Sequence, residues 1–303
     1  MESRDLHEGL VFPPALLTNC VPEFVTRLLH VGCGEGETGR LLKQRGIEVA
    51  GIDWDAQCVS QARQVLNVAA CLAPNTAHLP FPDGYFDGVL FTPSEWAPTS
   101  DALAKECVRV LAPDGLFLVL VTSRDEAGAE YLTHNAGCVA YLTWDIRPGA
   151  APAQPADSFE QAANNTQQGS GARPILGQVL GLVKEGYDPV AHARRLLEAG
   201  WPGRAYRVLS LIPQRFLADP AVATVAAADM QLCLLAVAQR GPARRCLELF
   251  FAEQSIFYRA LAHHSLAAPA HPAVLQAYHC HARFWHLVGD DDMGARLLRS
   301  IEH

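Results

Sequence analysis

The sequence predicts an α/β fold with a mostly parallel sheet, followed by an all-α helical segment, and three observations predict it. Residues 27–53, RLLHVGCGEGETGRLLKQRGIEVAGID, read as strand, glycine turn, helix and strand, ending on an acid. Short apolar runs then alternate with helical stretches as far as Ile146, the pattern of βαβ units. From Ile175 onward apolar residues recur at helical spacing, and no strand-like alternation is expected there. Between these parts, residues 147–174 are dominated by Pro, Ala, Gln, Asn, Gly and Ser, which reads as a flexible linker. The expected organisation is a sheet domain over 1–148, a linker over 149–174 and a helical domain over 175–303.

Each element of the first part has a local reason. Leu28, Leu29 and Val31 make the first strand, which stops at Gly32, and Thr38 to Gln44 has helical composition. Ile47, Val49 and Ile52 make the second strand, and Asp53 ends it. Asp55 is placed to cap a helix reaching about Leu66. Val68 to Leu72 is a weak third strand, and Phe86 to Phe91 is the fourth, after the turn Pro82-Asp83-Gly84. A helix from Ser100 or Asp101 to Leu111 leads through Pro113-Asp114-Gly115 into a fifth strand, Leu116 to Val121. Ser123 to Asn135 reads as a helix, and Cys138 to Ile146 as one further strand. Residues 1–24 read as an irregular arm or a single helical turn.

At 303 residues the chain is long enough for two domains, and half of it is apolar. A net charge of −8 without a basic face argues against a nucleic-acid partner. Nine cysteines without C-x-x-C pairs, no leader-like segment and no long apolar run predict a cytoplasmic protein with reduced thiols and no membrane span. The histidines lack zinc-ligand spacing, so no metal is expected.

Gly32, Gly34 and Gly36 let the backbone turn sharply and approach a ligand closely. An acid about 20 residues further on, at the tip of the next strand, commonly holds two ribose hydroxyls. The third glycine of a dinucleotide fingerprint would fall at residue 37, which is Glu. Glu35 and Glu37 also put negative charge where a pyrophosphate would sit on the helix N-terminus, which disfavours NAD or FAD. The turn suits a cofactor with a cationic sulfonium and ammonium and no phosphate.

HVGCGEGETGRLL, GIDWD, HLPFPDGYFDGVLF and ECVRVLAPDGLFLVLV resemble, in order and spacing, the motifs of class I S-adenosylmethionine (SAM) methyltransferases over about residues 25–122. The resemblance implies a Rossmann-like sheet with SAM as cofactor. It implies that Gly32, Cys33, Gly34 and Gly36 form the turn around the methionine and ribose, and that Asp53 binds the ribose hydroxyls. Trp54 would pack on the adenine, Asn75 and Thr76 would face it, and Phe91 and Thr92 would close under the sulfonium. Ser94 or Glu95 would serve the substrate. Family members often carry an acid where this chain has His30 and another where it has Asn75. They also have a longer N-terminal lid and a seven-stranded sheet with two strands after the fifth; with one clear strand there, the sheet of this chain is expected to be truncated. His78, Glu95 and His134 are the titratable residues expected near the cleft.

Three C-terminal segments look alike: AGWPGRAYRVLSLIP, AQRGPARRCLELFF and LVGDDDMGARLLRSI. Each follows a helix and places a glycine turn before a second helix, which resembles a tetratricopeptide-type (TPR-like) repeat. Asp290-Asp291-Asp292 lacks EF-hand spacing and reads as an acidic helix N-terminus. The expected function is a SAM-dependent methyltransferase acting on an unidentified small-molecule, glycan or protein acceptor, with a possible protein partner at the C-terminal helices. The alternative is a non-catalytic SAM-binding or scaffold protein on the same fold.

Overall fold

The computed structural model describes residues 12–73, 78–92, 101–122, 137–146 and 177–217, scattered positions over 219–233 and 279–287, and residues 289–299. The chain divides into two compact units, Met1–Tyr187 and Asp188–His303.

The first unit is built on a seven-stranded sheet of order β3-β2-β1-β4-β5-β7-β6. Its strands are β1 (Arg27–Val31), β2 (Glu48–Asp53), β3 (Val68–Cys71), β4 (Phe86–Phe91), β5 (Leu111–Thr122), β6 (Cys138–Ile146) and β7 (Gly177–Lys184). The first five run parallel, and β7 lies antiparallel between β5 and β6. Because β1, β2 and β4 are parallel neighbours, their C-terminal ends, Val31, Asp53 and Phe91, lie on one edge of the sheet.

The seventh strand corrects two expectations. The sheet is complete rather than truncated, and residues 177–184 belong to it rather than to the helical segment. Val179, Leu182 and Val183 are buried, and the strand is paired on both sides. A strand in that position reads as a continuous apolar run instead of an alternating one, and such a run is indistinguishable from a buried helix turn by period alone. The intervening 147–176 stretch, and the predicted helix over 123–135, lie outside the described residues.

The helices α1 (Pro14–Cys20), α2 (Glu37–Gln44), α3 (Ala56–Ala62) and α4 (Asp101–Val110) accompany the sheet. The N-terminal arm thus holds a two-turn helix rather than a single turn, with Pro14 at its first position. Arg45, just past α2, fixes it by donating to the carbonyls of Thr18 and Val21. The third helix stops at Ala62, short of Leu66, in tighter turns in which Val65 and Leu66 both donate to the Ala62 carbonyl. One core layer gathers Leu29, Val31, Ile52, Val89, Phe117 and Leu180 from five strands.

In the second unit, α5 (Pro189–Glu198) and α6 (Pro202–Ser210) pack as a pair around a glycine turn, with Gly200 at φ +83°. Asp188 caps the first by accepting from the N–H groups of Val190 and Ala191 at 2.9 and 3.1 Å. A short helix α7 (Gln214–Leu217) follows. Nearer the C-terminus, Gly289 turns at φ +89° and Asp290 accepts from Met293 N at 2.9 Å, so the acidic triplet does open a helix, α8 (Asp291–Arg299). The middle look-alike segment, AQRGPARRCLELFF, lies outside the described residues. No helix among the described residues is long and apolar enough to cross a membrane.

Candidate cofactor site

The glycine turn is pulled over the end of β2 by two hydrogen bonds. The N–H groups of Gly32 and Cys33 both donate to the Ile52 carbonyl, at 2.8 and 3.0 Å. Gly32, Gly34 and Gly36 have φ of +79°, +52° and +91°. A Cβ on Gly32 would stand 2.1 Å from the Thr92 carbonyl oxygen, so only glycine lets the turn pass the end of β4. A Cβ on Gly34 would meet nothing within 4 Å, so the space over this residue is open.

Asp53 is the electrostatic centre of the turn. It is only 7% exposed, and its carboxylate accepts three backbone hydrogen bonds: Gly34 N on Oδ2 at 2.7 Å, and Trp54 N and Asp55 N on Oδ1 at 2.8 and 3.0 Å. These bonds fix the carboxylate's plane, while Oδ2 keeps accepting capacity for a further donor. Asp55 then caps α3 through Gln57 N at 2.7 Å, as its position predicts.

The other predicted residues separate into groups. The Cys33 thiol turns inward: a Cβ on Gly51 would meet its Sγ at 2.8 Å, and burial pushes the thiol up to about 12. Cys33 therefore offers the turn its backbone only. The Phe91 ring is buried in the core layer. Trp54 packs partly buried against the same layer, and its buried indole Nε1 has no hydrogen-bond partner. Thr92 stands at the end of β4, its N–H donating to the Val31 carbonyl at 3.0 Å. Its hydroxyl lies 2.8 Å from the Gly32 carbonyl and 2.9 Å from His30 Nε2. His30 is 2% exposed, and burial lowers its pKa to about 4 against the opposing pull of Asp53, so the ring is neutral at pH 7. Asn75, Thr76, Ser94, Glu95 and His134 lie outside the described residues.

His78 is exposed, and its Nδ1 lies 3.0 Å from Glu106 Oε2 on α4. It belongs to a clamp that sequence reasoning missed. Glu106 accepts from Leu79 N at 2.8 Å and from Arg109, while Arg109 donates to the carbonyls of Leu79 and Phe81 and to Asp83. The clamp ties residues 78–83, between β3 and β4, to α4. The signal was the i, i+3 pair Glu106 and Arg109 in ECVRV, which by itself reads as a solvated ion pair. The Arg109 hydrogen bonds, opposed by partial burial and helped by the Leu79 N–H, hold the Glu106 carboxyl down to about 2. The ordinary value is 4.5, so this stabilisation is fully present above about pH 4.5 and is lost as pH falls towards 2. Glu106→Gln is expected to melt below wild type at pH 7, with the gap closing between pH 4.5 and 2 in thermal melts.

The residues present fit a ribose-bearing, phosphate-free cofactor. The turn offers a carboxylate acceptor, open space over Gly34 and exposed Glu35. The nearby cation Arg40 is committed to Glu37 at 2.6 Å. The glycine turn, the strand-2 acid and the end of β4 fall within a stretch, residues 29–119, that matches the methyltransferase domain family. A probable S-adenosylmethionine-dependent methyltransferase of Mycolicibacterium smegmatis is 35% identical over 98 residues, covering 32% of this chain and 38% of that protein. The demethylmenaquinone methyltransferase of Thermus thermophilus is 36% identical over 117 residues, covering 36% of this chain and 53% of that protein. The chain thus spans about half the length, or less, of these relatives. A TehB-like SAM-dependent methyltransferase structure from Corynebacterium glutamicum aligns at 16% identity with a TM-score of 0.40, covering 58% of this chain and 89% of that one. The matched stretch is continued by β6 and β7, which complete the seven-stranded sheet.

Proposed function

We propose that the protein is a SAM-dependent methyltransferase that acts on a small-molecule, glycan or protein acceptor. The observation that carries this reading is Asp53: a buried carboxylate at the tip of β2, held in plane by three backbone N–H groups, with accepting capacity left beside the open face of Gly34. The match to the methyltransferase domain family over residues 29–119 and the S-adenosylmethionine dependence that a relative's name carries support it.

When bound, S-adenosylmethionine supplies a methyl group on a cationic sulfonium, a leaving group already activated by its charge. What the chain must add is placement of donor and acceptor in line, which is worth several kcal/mol of barrier. In this reading the Gly32–Gly36 backbone receives the methionine end, Asp53 accepts from the ribose hydroxyls and Trp54 flanks the adenine. Asn75 and Thr76 complete the adenine side, and Thr92 closes the end of β4. The helical pairs after Asp188 are a TPR-like module for a protein partner, and α5, the Gly200 turn and α6 support that reading as one helix–turn–helix unit.

The second reading is a SAM-binding scaffold without catalysis. The neutral, buried His30 favours it, since an uncharged group there adds nothing to the attraction for a cationic cofactor. Calorimetric titration with S-adenosylmethionine and S-adenosylhomocysteine is expected to give micromolar dissociation constants, and [methyl-³H]-S-adenosylmethionine is expected to label an acceptor in a fractionated cell extract. Binding without labelling would select the scaffold. No binding of either compound would sink both readings.

A further inference from the structure

The inference concerns His30 and rests on the cofactor reading above. We propose that His30 is a positioning residue for the glycine turn: as the neutral Nε2–H tautomer it donates to Thr92 Oγ1, whose hydroxyl donates to the Gly32 carbonyl. This two-bond relay sets the direction of the Gly32–Cys33 peptide in the cofactor cradle.

The tautomer follows from hydrogen counting. The Thr92 hydroxyl has one hydrogen and three neighbours: the Gly32 carbonyl at 2.8 Å, His30 Nε2 at 2.9 Å and, further off, the Val31 carbonyl at 3.3 Å. Carbonyls can only accept, so the hydroxyl hydrogen goes to a carbonyl, the nearer one being that of Gly32, and the hydrogen between the ring and the hydroxyl belongs to Nε2. The opposite assignment would leave two oxygens facing each other without a proton and bury an Nδ1–H that has no acceptor. The assignment made here leaves only the Nδ1 lone pair unpartnered, and a buried acceptor without a donor is the more tolerable of the two.

The relay matters because Gly32 is held at both ends. Its N–H goes to the Ile52 carbonyl on the β2 side, and its carbonyl is taken by Thr92 on the β4 side. His30, flanked in register by Gly51 of β2 and Leu90 of β4, orients the hydroxyl from within the sheet. The next link, Gly34 N to Asp53, lies in the following peptide, Cys33–Gly34, one Cα beyond the one the relay orients.

Two measurements on the full chain test this. Nitrogen-15 NMR of histidine-labelled protein, with the His30 signal assigned by its loss in His30→Asn, is expected at pH 7 to show Nδ1 as a bare pyridine-type nitrogen and Nε2 as a protonated pyrrole-type one. The opposite tautomer, or an imidazolium, overturns the proposal. Titration with S-adenosylhomocysteine, on variants shown to be folded by circular dichroism, is expected to weaken about tenfold in Thr92→Val, the loss of one hydrogen bond's worth of alignment. Thr92→Ser keeps the hydroxyl and is expected to bind within about twofold of wild type. Equal binding by folded Thr92→Val, or no rescue by Thr92→Ser, overturns the proposal. Failure of wild type to bind would instead sink the cofactor reading, while the NMR result would still decide the tautomer.

Discussion

Asp53→Ala is expected to abolish measurable binding of S-adenosylhomocysteine and to lower the melting temperature as well. The two losses have different origins. Binding goes because the ribose loses its acceptor, and a charge-assisted hydrogen bond is worth about 1.5–3 kcal/mol each. Stability goes because three backbone N–H groups, those of Gly34, Trp54 and Asp55, lose the partner they share. Partial hydration would recover some of that, leaving a loss of about 2–3 kcal/mol, or roughly 5–10 °C for a unit of this size. Asp53→Asn separates the origins. Its single carbonyl oxygen can serve either the Gly34 side or the Trp54–Asp55 side but not both, so its melting temperature is expected between the other two. Calorimetry and thermal melts on the three proteins check this, and an alanine variant that binds like wild type would remove Asp53 from the site.

The second large effect is a contrast between two glycines of one turn. Gly32→Ala would drive a methyl group to 2.1 Å from the Thr92 carbonyl oxygen, at a φ of +79° that an L-residue adopts at a cost. Backbone cannot step aside as a side chain can, so a loss of about 4 kcal/mol or more is expected, with poor soluble yield. Gly34→Ala has φ of +52°, within the left-handed region open to L-residues, and no atom within 4 Å of the new methyl. Its cost is about 1 kcal/mol, and the protein is expected to stay folded. Yet the methyl would enter the space left for the ligand, so S-adenosylhomocysteine affinity is expected to fall about a hundredfold. Urea denaturation and calorimetry on both variants would show the dissociation. A folded Gly34→Ala with unchanged affinity would mean that the ligand does not lie over this turn.

The legible parts of the fold were those in which local chemistry and tertiary role agree. The 27–53 stretch carries its own strand, turn, helix and terminal acid, and the structure has β1, α2 and β2 within a residue of their predicted places. Phe86 to Phe91 was equally plain, bounded by a Pro-Asp-Gly turn and six residues long. What failed was β7. Its pairing partners, β5 and β6, lie across a low-complexity stretch, and a strand buried on both faces has no alternation to betray it. Among the candidate site residues, Asp53 and the glycines lie where the sequence places them, at the tip of β2 and in the turn after β1, because a short motif specifies that backbone geometry. The inward turn of the Cys33 thiol, the His30–Thr92 contact and the Glu106–Arg109 clamp could not. Each brings together residues from different elements, the clamp by its hold on residues 78–83, and which elements meet is not written in any local pattern.

The placement of β7 bears on where this polypeptide can be divided. Within the described residues β6 pairs with β7 alone, and β7 supplies the outer ladder of β5. A chain ended at residue 148, where the sequence suggests a boundary, would keep the matched motifs and lose the strand that pairs with the outer side of β5. Leu118, Leu120 and their neighbours on β5 would then present a naked edge, ready to recruit another copy of the same strand. Solubility of the sheet-bearing unit therefore depends on residues beyond the low-complexity stretch, and the natural place to sever the protein is between Tyr187 and Asp188.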